Sequence, residues 1–203
     1  MTNTRHYNII NSKRYGEHLN INMSKDKRLL SEKDIDNILK NLSDKIISQH
    51  SSESKKNPLV LIGIHRRGVP LGKRLKNIIE KKTDKKLLSG TLDITLYRDD
   101  LDTIGHTPVV KNTDIPFDLT NKNIVLVDDV LFTGRTVRAA LNELTDFGRP
   151  KRIQLSVLID RGHRELPISA DYIGKAIKTE RNEIVMVRLK EIDGIDEVVI
   201  TEK

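Results

Sequence analysis

The stretch NIVLVDDVLFTGRTVRAAL, residues 123–141, narrows the possible folds of this chain more than any other. Its β-branched and aliphatic run reads as a strand buried on both faces, and the run ends in two adjacent carboxylates, Asp128 and Asp129. A short loop, LFTGRT, follows, and then apolar residues at helical spacing. This order suits a parallel sheet flanked by helices, in which ligands bind beyond the carboxyl ends of the strands. The backbone N–H groups of the loop and the positive end of the helix can wrap a phosphate, with Thr136 as N-cap. Carboxylates beside such a cradle repel the phosphate unless they face something else, and sugar hydroxyls or a bound Mg²⁺ are suited to them. A sugar phosphate satisfies both halves. Taken alone, an acid pair after a strand equally fits a plain turn with an Asx cap, and Gly between threonines is ordinary turn chemistry.

The rest of the chain alternates strand and helix signals. Ser31 and Asp34 form a capping box with Asp in place of Glu, and Ile35, Ile38, Leu39, Leu42, Ile46 and Ile47 follow at helical spacing. A polar linker, Ser48 to Asn57, leads through Pro58 into the short buried strand LVLIGI. The turn HRRG comes next, and Pro70 is expected as the first residue of a helix running to about Lys82. GTLDITLY is read as a second strand, Asn123 to Val130 as a third, Val137 to Phe147 as a helix, and IQLSVLID as a fourth strand. Apolar strands separated by helices imply crossover connections, and so an α/β fold with a mostly parallel central sheet flanked by helices. Residues 99–119, with Gly105, Pro108 and Pro116, are too polar and too long for an ordinary connection and are expected to form a lid. Residues 1–24, polar and rich in Asn, are expected to be a mobile extension to a domain over residues 25–203, with Met23 a candidate initiator.

Composition limits the setting. Length permits one domain with a sizeable core, which aliphatic side chains must supply because Trp is absent and aromatics make up 3%. No disulfide is available without Cys, which fits a reducing compartment. No apolar run approaches the roughly 20 residues needed to span a bilayer, and no secretory apolar core opens the chain, so a cytoplasmic protein without membrane contact is expected. The net charge of +7 is uneven: residues 1–86 hold 20 Lys and Arg against 9 Asp and Glu, and the remainder is neutral to acidic. Such asymmetry suits a polyanion, either nucleic acid or phosphorylated small molecules, but also a solvated lysine-rich surface.

The segment IVLVDDVLFTGRT resembles the 5-phosphoribosyl-1-diphosphate (PRPP) binding motif of the type I phosphoribosyltransferases. Three further stretches, IGIHRRG at 62–68, LDITLYRDDL at 92–101 and GRPKRIQLSVLIDRGHRELPISADYIGK at 148–175, resemble the pyrimidine operon regulator family, whose members are also uracil phosphoribosyltransferases. The likeness runs from about residue 30 to the C-terminus. It implies the type I phosphoribosyltransferase fold, with a small hood and a long flexible lid, and transfer of phosphoribose from PRPP to uracil, giving UMP and pyrophosphate.

Roles for particular residues follow from that resemblance. The turn His65, Arg66, Arg67, Gly68 would hold pyrophosphate, since Arg pairs with phosphate through a planar fork and Gly permits close backbone approach. Family members more often carry Thr where Arg66 stands here. Either Arg66 adds a contact, or it points to solvent and Arg67 with backbone amides does the work. Asp128 and Asp129 would hold the ribose hydroxyls, and Val130, Leu131, Phe132, Thr133, Gly134, Arg135 and Thr136 would form the 5′-phosphate loop. Mg²⁺ would be held mainly by PRPP oxygens and water, with no dedicated protein ligands. Arg98 at the start of the lid would reach the pyrophosphate, or else pair with Asp99 or Asp100. Arg161, His163 and Arg164 would approach the base, His163 either as a general base or through a structural hydrogen bond. Gly174 to Val187 would complete the base pocket in the hood.

Family resemblance also implies binding of a messenger RNA leader and assembly into dimers or larger homo-oligomers. The expected outward face of the first helix, with Asp36, Lys40, Asp44 and Lys45, carries little net charge, so the basic excess lies elsewhere. An alternative is therefore an RNA-binding transcription attenuation regulator with little enzymatic activity. A purine or orotate enzyme would keep the PRPP site, but the DRGHREL segment argues against it.

Overall fold

A computed structural model of the chain describes residues 27–51, 58–97 and 113–202. Its elements are β1 (Lys27–Leu30), α1 (Glu32–His50), β2 (Leu59–Ile64), α2 (Gly68–Thr83), β3 (Leu88–Leu92), β4 (Asn123–Leu131), α3 (Arg135–Leu144), β5 (Arg152–Asp160), β6 (Tyr172–Ala176), β7 (Glu183–Arg188), α4 (Lys190–Asp193) and β8 (Glu197–Glu202). The expected extension, Met23 and Arg98 lie outside the described residues.

LVLIGI and the strand carrying the acid pair are neighbours in a five-stranded parallel sheet of order β3-β2-β4-β5-β6. The chain steps outward from β2 to β3, and then returns to place β4 on the other side of β2. That reversal opens a crevice between the carboxyl ends of β2 and β4, where α/β sheets bind ligands. Pairing of Gly63 with Val127 sets the turn after β2 directly beside Asp128.

Both faces of the sheet are covered. On one, Ile35, Leu39 and Ile46 of α1 and Leu71, Leu75 and Ile79 of α2 pack on Leu61, Val125, Val127 and Leu158. On the other, Val137, Ala140 and Leu144 of α3 pack on Val60, Ile62, Ile124 and Leu126. Each such aliphatic side chain contributes about 1.5–3 kcal/mol relative to exposure, so a core lacking Trp suffices. Helix α1 starts as its sequence dictates, with Ser31 and Asp34 forming a capping box in which the Asp34 backbone N–H donates to the Ser31 hydroxyl.

Several expectations change. GTLDITLY is not one strand: β3 ends at Leu92, and Asp93 accepts from the Thr95 N–H at 3.0 Å and its hydroxyl at 2.5 Å, turning the chain into a 3₁₀ helix over Ile94–Tyr97. Pro70 is the third residue of α2, not the first. That position is equally tolerant, since no first-turn N–H has an intrahelical acceptor. Thr136 is not the N-cap of α3, because Gly134, at φ 95°, occupies that place, and α3 stops at Leu144, short of Phe147. The expected lid rejoins the core early: Thr91 and Asp114 exchange two backbone hydrogen bonds of 2.9 Å, and Ile115 and Leu119 are buried. The hood is an antiparallel sheet of order β1-β8-β7, so one of its strands comes from the N-terminal side of the chain.

Candidate active site

Asp128 and Asp129 stand in a cavity of about 280 Å³, which is also lined by Arg66, Arg67, Thr95 and Thr136. They differ in setting. Asp128 is buried and its Oδ1 accepts the Asp129 N–H at 2.9 Å, while Asp129 Oδ1 accepts the Val130 N–H at 2.9 Å. Burial, with the neighbouring Asp129 charge, raises the Asp128 carboxyl well above the ordinary range. Burial also raises Asp129, but the hydrogen bond from Asp128, the Val130 N–H and the Arg67 charge oppose it. The two carboxyls titrate as a pair, and polar partners in the cavity favour their ionised form.

The turn after β2 reaches the acids because two glycines allow it. A Cβ on Gly68 would stand 2.2 Å from the Val127 carbonyl oxygen, and one on Gly63 would stand 2.6 Å from the Gly68 carbonyl oxygen. Only backbone without a side chain fits between β2 and β4 here. The His65–Arg66 peptide is cis. Arg66 is exposed and Arg67 half-buried, with Arg67 Nε and Nη2 donating to Asp193 at 3.2 and 2.8 Å.

Beyond β4, the TGRT loop crosses into the N-terminus of α3. Thr133 and Phe132 are half-buried, Arg135 and Thr136 are exposed, and the Arg135 side chain turns away to Glu165 at 2.8 Å. Leu131 points into the core, so its contribution to a ligand is restricted to backbone. In the loop after β5, the Arg161 guanidinium lies 4.2 Å from the Phe132 ring centroid, and its Nη2 donates to the Glu180 carbonyl at 3.1 Å. The His163 ring meets Phe132 edge-on at 5.9 Å, with Nε2–H donating to the Thr179 carbonyl at 2.5 Å. This leaves Nδ1 as the acceptor nitrogen of the neutral ring. Arg164 departs from its expected place: its guanidinium donates to Asp160 at 2.6 Å and to the Phe132, Gly162 and Ile168 carbonyls at 2.9–3.0 Å. It fastens the loop after β5 from within.

Sequence reasoning passed over Asp93, Thr95 and Asp193. The Asp-x-Thr spacing in LDIT is an Asx-turn signal that marks the first two. Nothing local marks Asp193, which reaches Arg67 across 126 positions of sequence.

Fold and site define a phosphoribosyltransferase: the chain matches the phosphoribosyl transferase domain family over residues 32–191. It is 60% identical over 145 residues, 71% of this chain and 80% of the relative, to the bifunctional protein PyrR of Thermus aquaticus. The bifunctional protein PyrR of Pelotomaculum thermopropionicum is 53% identical over 181 residues, 89% of this chain and 98% of the relative. The chain belongs to the PyrR family of phosphoribosyltransferases. In fold it is similar to hypoxanthine phosphoribosyltransferases of Trypanosoma cruzi (TM-score 0.69, 20% identity, 88% of this chain and 96% of that one) and Staphylococcus aureus (TM-score 0.63, 24% identity, 87% and 92%). At that identity the likeness speaks for architecture alone. Among the described residues no helix is long and apolar enough to cross a membrane.

Proposed function

We propose that the protein transfers the 5-phosphoribosyl group of PRPP to uracil, giving UMP and pyrophosphate. The observation that carries this reading is the convergence of the acid pair, the arginine turn and the TGRT loop on one cavity, in a PyrR-family chain. Asp128 and Asp129 accept the ribose hydroxyls. Backbone amides of Thr133 to Thr136 at the N-terminus of α3 take the 5′-phosphate, and Arg67 takes the pyrophosphate.

Displacement breaks the bond from the anomeric carbon to pyrophosphate oxygen, which keeps the electron pair, and forms the bond to uracil N1, whose proton passes to solvent or to the departing pyrophosphate. Positive charge builds on the sugar in between, and the ionised acid pair lies on the side that stabilises it. Asp128, Asp129 and Asp93 give the cavity walls hard oxygen atoms of the kind Mg²⁺ takes, and among the described residues no group of three such side chains is arranged to hold the ion alone. The ion would ride on PRPP oxygens and water, with those carboxylates beside it, and supply charge neutralisation of the departing pyrophosphate.

The base lies against Phe132 and Arg161, next to His163. Incubation with PRPP, Mg²⁺ and uracil, hypoxanthine or orotate in turn, following nucleotide and pyrophosphate, tests the reading. UMP formation with uracil alone is expected; turnover with hypoxanthine or orotate in its place overturns it.

The same reading includes binding of a messenger RNA leader in the presence of UMP. What favours it is the group of exposed Lys81, Lys85 and Lys86, which outnumber Glu80 and Asp84 around a depression at the end of α2. UMP-dependent retention of the leader, weakening with salt, is expected from filter binding.

A further inference from the structure

Arg67 is the cation of the proposed pyrophosphate turn, yet what fixes it comes from the other sheet. Asp193, the last residue of α4, takes the Nε and Nη2 edge of the guanidinium at 3.2 and 2.8 Å. The carboxylate is itself anchored, since its Oδ2 also accepts the Leu189 N–H at 2.9 Å. Helix α4 is anchored too: Arg74 of α2 grips Glu191 at 2.6–2.8 Å and Asp196 at 2.8–3.0 Å, on either side of Asp193. Arg67–Asp193, Arg74–Glu191 and Arg74–Asp196 are thus each joined by two hydrogen bonds, and Asp193 is tied to Leu189 by one more.

An arginine gripped along its Nε/Nη2 edge presents its remaining N–H groups in the opposite direction. Arg67 lines the cavity that also holds Asp128 and Asp129, and its charge opposes the burial-driven rise of the Asp129 carboxyl. Neighbouring Arg66 is exposed and makes no such bond among the described contacts. The hood thereby distinguishes two adjacent arginines, giving one a fixed bearing.

We propose that Asp193 is a positioning residue, holding Arg67 by one edge so that the other faces the pyrophosphate of the bound donor. This rests on the functional reading above and adds to it a residue from the hood. A free arginine would lose rotamer freedom on binding the anion, and Asp193 imposes that order beforehand. A merely structural ion pair at this exposed position would contribute little to anything.

The variant Asp193→Asn keeps the shape and the acceptor for Leu189 but loses the charge that orients Arg67. Steady-state kinetics with PRPP and uracil, together with calorimetry of Mg²⁺-pyrophosphate binding, read its effect. Expected are an about tenfold rise in KM for PRPP and in Kd for pyrophosphate, about 1.4 kcal/mol. KM for uracil and the thermal midpoint should be unchanged. In an Arg67→Ala background, Asp193→Asn should add nothing. Unchanged pyrophosphate binding in Asp193→Asn, or an equal loss in both backgrounds, overturns the proposal. Failure of the wild type to bind pyrophosphate or turn over PRPP overturns the functional reading instead, so the two failures are separable.

Discussion

Asp128 is a costly residue in a protein without its ligand. It is 6% exposed, flanked by a second carboxylate, and its carboxyl is raised by burial first and by the Asp129 charge second. Since folding raises this carboxyl above its unfolded value, the folded chain keeps a proton that the unfolded chain has lost. The associated stability is complete below the unfolded range and declines as pH rises through the folded value. Asp128→Asn, which has no proton to lose, should therefore be more stable than wild type at pH 8, by on the order of 1 kcal/mol, with the gap closing toward pH 4. Urea midpoints across that range measure it. The same linkage acts on the ligand: ribose hydroxyls need ionised acceptors, so PRPP affinity should rise with pH above the ordinary carboxylate range until the pair is ionised. For Asp129→Asn, turnover should fall about 10²–10³-fold with an unchanged far-UV spectrum, because a group aimed at developing charge is lost while its hydrogen bond to Val130 survives.

At the scale of elements, the turn after β2 owes its position to backbone contact. Gly68→Ala would bring a methyl group within 2.2 Å of the Val127 carbonyl oxygen, and neither β4 nor the first turn of α2 can yield without moving the cavity wall. A loss of about 1–3 kcal/mol in stability and at least a tenfold rise in KM for PRPP are expected, measured by denaturation and initial rates. This turn also shows what a sequence can and cannot convey. LVLIGI, the acid-pair strand, IQLSVLID and the α1 capping box are legible because local pattern and final environment agree. The Asp93 turn is misread as strand because apolar neighbours on both sides mask an Asx signal. The hood is the least legible part. Strand β1, four residues long, owes its existence to pairing with β8 about 170 positions away, and Asp193 becomes part of the site by the same long-range closure. Arg164 shows the converse limit, since its place in DRGHR suggests contact with the base, yet nearby carbonyls and Asp160 absorb it.

At the scale of the whole molecule, the two sheets share a core and are tied by ion pairs, of which one reaches a buried carboxylate. Leu30, Val187, Leu189 and Val198 of the small sheet join the cluster that buries α1 and α2. That ionic clasp is centred on Arg74, which bridges Glu191 and the buried Asp196. Burial pushes the Asp196 carboxyl up, but hydrogen bonds from Arg74 and the Lys190 N–H more than offset it, leaving it below the ordinary range. A carboxyl lowered on folding contributes stability present above its unfolded value and lost as pH falls through the folded one. Arg74→Met removes the chief offset while leaving a carboxylate whose side chain is 4% exposed. The remaining N–H partner and the partial exposure of Arg74 place the loss at about 2–3 kcal/mol near neutral pH, below the full effect of breaking a buried pair. That loss should shrink as pH falls and Asp196 takes up a proton. Adding Asp196→Asn should restore part of the stability at pH 7 and make the remainder insensitive to pH. Chemical denaturation of the two variants at pH 7 and pH 4.5 decides the matter: an Arg74→Met penalty that is equal at both values would mean that the clasp acts by packing of its aliphatic stem and not by charge.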